Sequence, residues 1–290
     1  MSRSSKKWSL PKALSLIVGS IFAVTGSIFS LINGKHFFSV HSKKTECTHL
    51  ILTGPQRDAL SSYFIEEMLN LSQDQPDNIK KISLKKKKKM LLSAPMIKEA
   101  NFFVQPPSTL YVDYVLREPI ALVEDLPNMA IDEKGYLFPF SPFYSPKDLP
   151  SFYFGDKMGR PLSFETPISD EAFFLAKEIL DLFTKEAHEE RFVIKKIDVS
   201  CAFEQSLGKK EVVIVLAEDP IDPRQESISY LHYLRVSPKD YKDQLGHYVV
   251  LHKELLEELL LDPKKNPIEH KMIDLRLQGL AFIKKFQELE

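Results

Sequence analysis

From Ala13 to Ile32 the chain runs for 20 residues without a charge, as ALSLIVGSIFAVTGSIFSLI. Built as a helix, the run is about 30 Å long, which matches the hydrocarbon thickness of a bilayer. Trp8 precedes it and Phe37 and Phe38 follow it, placing rings where membrane interfaces favour them. Cleaved signals carry a shorter apolar stretch of roughly 7–15 residues and end on small residues in an A-x-A pattern. Here only Ser30 and Gly34 are candidates for such a site. The sequence therefore predicts one uncleaved transmembrane helix over 13–32. The tail before it, 1–12, holds Arg3, Lys6, Lys7 and Lys12 and no acid, which predicts a cytoplasmic N-terminus and an exported remainder. Ser15, Gly19, Ala23 and Ser27 fall at four-residue spacing and predict a helix-packing face of small residues.

The other 258 residues are ordinary in composition, and one or two domains fit. The 39 basic and 40 acidic residues almost cancel, which removes the global basic field of a nucleic-acid binder. That balance hides a gradient. Residues 1–12 carry +4, residues 13–100 carry +5, and residues 101–290 carry −10. A basic front and an acidic back suggest separate modules.

Residues 33–46 read as a juxtamembrane linker. A strand at His49–Thr53, ended by Gly54-Pro55, precedes an expected helix from Pro55 to Leu71 with Leu60, Phe64, Met68 and Leu71 as its apolar stripe. A short helix over Ile82–Leu92 and strands at Asn101–Gln105 and Thr109–Val115 complete a small α+β module. Short strands follow at Ile120–Glu124, Ala130–Asp132 and Tyr136–Phe138, then a proline-rich loop from Pro139 to Pro150. Ser169 caps a helix reaching about His188, with Phe173, Ala176, Leu180 and Phe183 inward. Strands at Val193–Ser200, Glu211–Ala217 and Ser229–Val236 precede a helix at Pro238–Leu261. Its inward residues are Tyr241, Leu245, Val249, Leu256 and Leu260. His270–Lys284 reads as one long closing strand.

No reaction motif stands out. Eight histidines form no H-E-x-x-H and pair with no C-x-x-C, so no metal or cofactor is expected. His247 and His252 read as surface or packing residues of a helix. S-x-x-K at Ser83–Lys86 and Ser206–Lys209 lacks the companion S-D-N and K-T-G signatures. No phosphate-cradling glycine loop occurs among 10 glycines. Lys85–Lys89 reads either as a solvated helix face or as a contact for anionic headgroups or wall polymer. Cys47 and Cys201 open different modules and are expected as unpaired, partly buried thiols. The expectation is a binding scaffold, not an enzyme, of the kind that acts by strand addition.

Six local sequences, in order along the chain, resemble the FtsQ/DivIB family of bacterial division proteins. Leu92-Ser93-Ala94-Pro95-Met96-Ile97-Lys98-Glu99-Ala100 resembles L…P-W-V-x-x-A, and Pro107-Ser108-Thr109-Leu110-Tyr111-Val112 resembles P-x-T-L-x-I. Leu116-Arg117-Glu118-Pro119-Ile120-Ala121 resembles E-R-x-P-V-A, and Ile131-Asp132-Glu133-Lys134-Gly135-Tyr136-Leu137-Phe138 resembles V-D-x-x-G-x-V-F. Leu149-Pro150 with Gly155 resembles L-P-x-L-x-G, and Ile273-Asp274-Leu275-Arg276 resembles V-D-L-R-Y. Two departures are Met96 at the tryptophan position and Leu277 at the aromatic after D-L-R. The lysine run and the loop 218–228 look like additions.

The resemblance implies a POTRA-like domain at about 47–117 and an FtsQ-type β domain at 118–290, with no cofactor and no catalysis. It implies an inner-membrane, single-pass protein at the division septum, with residues 33–290 periplasmic. The implied partners are FtsB- and FtsL-like single-span proteins that control the FtsW–FtsI septal wall synthase. The family's closing strand pairs with an FtsB strand. That role maps here onto Met272, Ile273, Asp274, Leu275, Arg276, Leu277, Gln278, Gly279, Leu280, Ala281, Phe282 and Ile283. The Arg117-Glu118 and Asp274-Arg276 charges are expected to orient strands and turns. The rival readings are a POTRA-bearing protein that handles exported polypeptides and a membrane-tethered wall hydrolase.

Overall fold

The computed structural model describes residues 46–72, 74–144, 148–155, 163–186, 192–218, 230–261 and 271–285. The chain forms two compact units. One comprises residues up to Ala94 together with Glu99–Val115, and the other comprises Pro95–Lys98 and the chain from Leu116 onward.

The first unit is built on three strands, β1 (His49–Thr53), β2 (Ile97–Gln105) and β3 (Thr109–Leu116), in the order β1-β3-β2. β3 is central and alternates cleanly, with Leu110, Val112, Tyr114 and Leu116 buried. That period of two is the pattern of a strand with one face on a core. Helices α1 (Ser62–Met68) and α2 (Leu84–Leu92) supply Ile65 and Leu91 to that core. α1 is shorter than the apolar stripe from Leu60 to Leu71 predicts. The Tyr114 hydroxyl accepts a hydrogen bond from Leu60 N at 3.1 Å and donates to Gln56 O at 2.9 Å. That pins residues 56–60 as a turn, so Leu60 reaches the core from outside the helix. Ser61 then caps α1 by accepting from Phe64 N, and Asn70, at φ 51°, ends it in the left-handed conformation asparagine tolerates.

The second unit contains a nine-stranded sheet. Its strands are β4 (Pro119–Val123), β5 (Met129–Asp132), β6 (Leu137–Pro139), β7 (Ser151–Tyr153), β8 (Phe192–Asp198), β9 (Val212–Glu218), β10 (Tyr230–Val236), β11 (Lys271–Asp274) and β12 (Phe282–Lys285). Their order is β12-β11-β10-β9-β8-β7-β4-β5-β6. Helices α3 (Glu171–Glu186) and α4 (Tyr241–Leu261) share a hydrophobic core with the sheet, centred on Phe152, Phe173, Ile197, Ile214, Leu234 and Ile273. Asp170, not Ser169, caps α3 by accepting from Phe173 N at 2.8 Å. β7 lies where the sequence predicts only the edge of a loop. It spans three residues, too few to show alternation, and is held between β4 and β8 by parallel pairing. Arg117 donates to Asp132 Oδ2 at 2.8 Å and to Pro95 O, while its guanidinium lies over the Tyr136 ring. This charge orients strands and binds nothing else in the described residues.

The α+β expectation included a membrane span, and that part is corrected. No helix among the described residues is long and apolar enough to cross a membrane. α4 has the length, at 21 residues, but carries Lys242, Asp243, Lys253, Glu254, Glu257 and Glu258. Residues 13–32, with the small-residue face Ser15, Gly19, Ala23 and Ser27, lie outside the described residues. Single-pass insertion, and with it the inner-membrane placement and the periplasmic assignment of 33–290, is not supported by the helices described.

In α2 the lysine run is not uniform. Leu84, Lys87 and Leu91 turn inward, and Lys87 is only 8% exposed. Its Nζ donates to Leu69 O at 2.8 Å and to Asp77 Oδ2 at 2.7 Å. Replacing Lys87 with methionine keeps the stem's packing but leaves a carbonyl and a carboxylate unpaired. We expect Lys87→Met to cost about 1–3 kcal/mol in chemical unfolding, while Lys86→Met changes stability by less than about 0.5 kcal/mol.

Candidate partner-binding edge

The predicted long strand His270–Lys284 is two short strands in the structure. β11 runs parallel to β10, with His232 opposite Lys271 and Leu234 opposite Ile273. β12 folds back antiparallel, with Asp274 opposite Phe282 and Ile273 opposite Ile283. Leu275 is buried and its N donates to Arg235 O at 2.9 Å. The chain then reverses through Leu277–Leu280, closed by a bond from Leu280 N to Leu277 O at 3.1 Å. Gly279 sits in this turn at φ 74°, a conformation that side chains with a Cβ resist.

This geometry separates the predicted partner-binding residues into three groups. Met272, Ile273 and Asp274 lie on β11, an interior strand between β10 and β12. Leu275, Arg276, Leu277, Gln278, Gly279, Leu280 and Ala281 form the connection. Phe282 and Ile283 lie on β12, which has no further strand beside it among the described residues. Leu277, Leu280, Phe282 and Ile283 are 57%, 58%, 55% and 44% exposed. Four large apolar side chains thus cluster on the turn and on the outermost strand.

A charge network fixes the base of the hairpin. Arg276 holds Asp274 with two parallel bonds, Nε to Oδ1 at 3.0 Å and Nη2 to Oδ2 at 2.8 Å. Asp274 Oδ2 also lies 3.1 Å from Arg235 Nη1. Glu211 Oε2 accepts from Arg235 Nε at 2.7 Å, pairs closely with Arg235 Nη2, and lies 3.2 Å from Arg276 Nη1. Burial pushes the Asp274 carboxyl up, but its bonds to Arg276 and the Arg235 charge hold it below the usual carboxylate range. Two guanidiniums and two carboxylates satisfy one another, so these charges position β10, β11 and the turn and are not offered to a ligand.

Beside the turn lies a groove of about 510 Å³ between the start of α4 and residues 275–281. Asp240, Asp243, Gln244 and His247 line its α4 side. Gln244 is held by accepting from Ser237 N at 2.7 Å, which ties the start of the helix to the end of β10.

Compared with protein-family models and with curated proteins, the chain matches none.

Among the described residues no group of three histidines, cysteines or carboxylates could hold a metal ion. Cys47 and Cys201 are both free and partly buried. The sequence reading missed a buried polar cluster behind the sheet. Glu218 on β9, His232 on β10 and His252 on α4 are 3%, 4% and 6% exposed. His252 Nε2 lies 3.1 Å from Glu218 Oε2 in hydrogen-bonding geometry. His232 Nε2 is equally near but off the line a hydrogen bond needs, and Glu218 Oε1 has no hydrogen-bond partner among the described residues. Phe192 walls the cluster, its ring centroid 4.3 Å from that of His252. His252 falls beside apolar residues of α4 and therefore reads as packing. Only tertiary pairing brings Glu218 to it across 34 residues.

Burial drives the Glu218 carboxyl up, but the two imidazoles more than offset this and hold it at about 2. The ordinary value is 4.5, so the stabilisation is complete above that pH and is lost as pH falls toward 2. Glu218→Gln should flatten this acid limb in a pH series of thermal unfolding and leave the neutral-pH fold intact. Gly279→Ala has open space around its Cβ, so its cost comes from backbone strain alone. We expect a loss of about 1 kcal/mol, with nuclear magnetic resonance shifts confined to 275–283.

Proposed function

We propose that this protein is a division scaffold of the FtsQ/DivIB kind that captures an extended partner segment along the outer edge of β12. The observation that supports the reading is a sheet whose terminal strand has no neighbour on its outer side among the described residues and lies next to four exposed apolar side chains. Free strand edges pair readily with another chain, and soluble proteins usually shield them with charge, proline or a covering loop. Here β12 ends in two lysines, Lys284 and Lys285, while Phe282 and Ile283 remain uncovered among the described residues. Main-chain bonds then give affinity, and the apolar side chains select the partner.

Under this proposal the protein recruits and does not catalyse. Its partners are FtsB- and FtsL-like proteins, and the effect is control of septal wall synthesis by an FtsW/FtsI-type enzyme. Leu277 lies in the turn, so the aromatic of the family pattern is replaced at the mouth of the groove and not on the pairing edge. Phe282 is the exposed aromatic best placed to anchor a captured strand.

In an antiparallel pair, successive residues point their N–H groups alternately toward and away from the neighbouring strand. One of Phe282→Pro and Ile283→Pro therefore removes a bond to β11, and the other removes only an outward donor. With purified full chain and the FtsB-like segment, the variant that keeps wild-type unfolding behaviour should lose binding at least about tenfold. Unchanged affinity in both folded variants would discard strand capture at β12.

A further inference from the structure

The lysine run takes on a second meaning once α2 is placed on its sheet. At 100° per residue, Lys85, Lys86, Lys88 and Lys89 sweep an outward arc of about 160°, opposite the inward Lys87. All four are exposed. Lys88 Nζ reaches Asn101 Oδ1 at 3.4 Å, and none of the four makes an ion pair among the described residues. The helix contains no acid, so nothing at i±3 or i±4 on α2 relieves the repulsions of 85 with 88, 85 with 89 and 86 with 89. Lys85 and Lys86 also sit in the first turn, where the helix dipole disfavours cations. Lys87 shows what a structural lysine looks like here, being inward and doubly bonded. Of the other four, Lys88 has one hydrogen bond and Lys89 lies in the last turn, where the helix dipole favours a cation, but none has a counter-charge among the described residues, which is the mark of a surface kept for something else.

The surroundings identify the partner's chemistry. Leu92, 39% exposed, falls inside the lysine arc, and Phe103, 63% exposed, lies two residues along β2 from the Asn101 that meets Lys88. A cationic helix face with an aliphatic and an aromatic side chain beside it fits an interface of charged headgroups above acyl chains. Single-stranded nucleic acid asks instead for a series of rings on which successive bases stack. The exposed ring placed beside this face is Phe103, through Asn101 on the same strand. Ammonium groups act as point charges toward phosphate and need no fixed fork geometry.

We propose that the outward face of α2 is a peripheral docking surface for anionic phospholipid headgroups, with Leu92 and Phe103 touching the interface. The contact is peripheral, is made by the first unit alone, and does not depend on strand capture at β12.

Amine acetylation followed by mass spectrometry tests this residue by residue on the full chain. With vesicles containing phosphatidylglycerol at low salt, Lys85, Lys86, Lys88 and Lys89 should acetylate about tenfold more slowly. Exposed Lys239 and Lys253 should stay unchanged as internal references. The protection should fade at high salt, as screened charges require. Equal protection by purely zwitterionic vesicles, or none by either kind, would overturn the proposal. So would equal protection by soluble glycerol phosphate at matched phosphate concentration, or protection by an oligonucleotide without protection by vesicles.

Discussion

Every backbone N–H and C=O taken from water needs a partner, and an open sheet satisfies that demand everywhere except along its two outer strands. In this protein the demand organises the second unit. The inner strands, β8, β9 and β10, pair along nearly their whole length and carry the apolar residues on which α3 and α4 pack. From there the pairing weakens outward through four-residue strands, β11 and then β12. The last strand is short, Phe282, Ile283 and Lys284 on it are exposed, and its position rests on a hairpin fixed from within by Asp274, Arg276, Arg235 and Glu211. A rigid base and an open rim are the two properties a strand-capturing surface needs. The first removes ordering cost and the second leaves main-chain groups available.

The two buried polar features answer the same demand in different ways. Lys87 reaches a helix-end carbonyl and an acid, so its charge is matched. Glu218 is held between two imidazoles and keeps one oxygen without a hydrogen-bond partner among the described residues, so its charge is matched there only in part. A buried ion set of this kind adds little net stability, because desolvation offsets attraction. It does add a dependence on pH, and it ties α4 to β9 and β10. α4 is also the helix that lines the groove beside the hairpin turn.

Much of this architecture was legible along the chain, and the losses have physical causes. Thr109–Leu116 and Val212–Glu218 could be read because their apolar residues match the strand period or fill a short run between turns. Ser151–Tyr153 could not, since three residues carry no period. The Pro55–Leu71 stripe has helical spacing, yet Tyr114, 54 residues from Leu60, turns its first part into a pinned loop. The closing segment reads as one strand because Met272 to Ile283 is mostly apolar. A single glycine at positive φ and a seven-residue excursion divide it. The pairing of Asp274 with Arg276 was readable as local charge, but its extension to Arg235 and Glu211 was not. Lys87 differs from its four neighbours only through the core it meets, which the run of identical letters conceals.

The central claim is that β12 is an open edge that a partner strand completes. Amide hydrogen exchange across the full chain, with and without the FtsB-like segment, tests it most directly, because each strand residue reports its own bond. The account predicts new protection at alternate amides of Phe282–Lys285, with β8 to β10 unchanged. Binding accompanied by protection elsewhere, for instance along β2 or β6, and by none on β12 would contradict it.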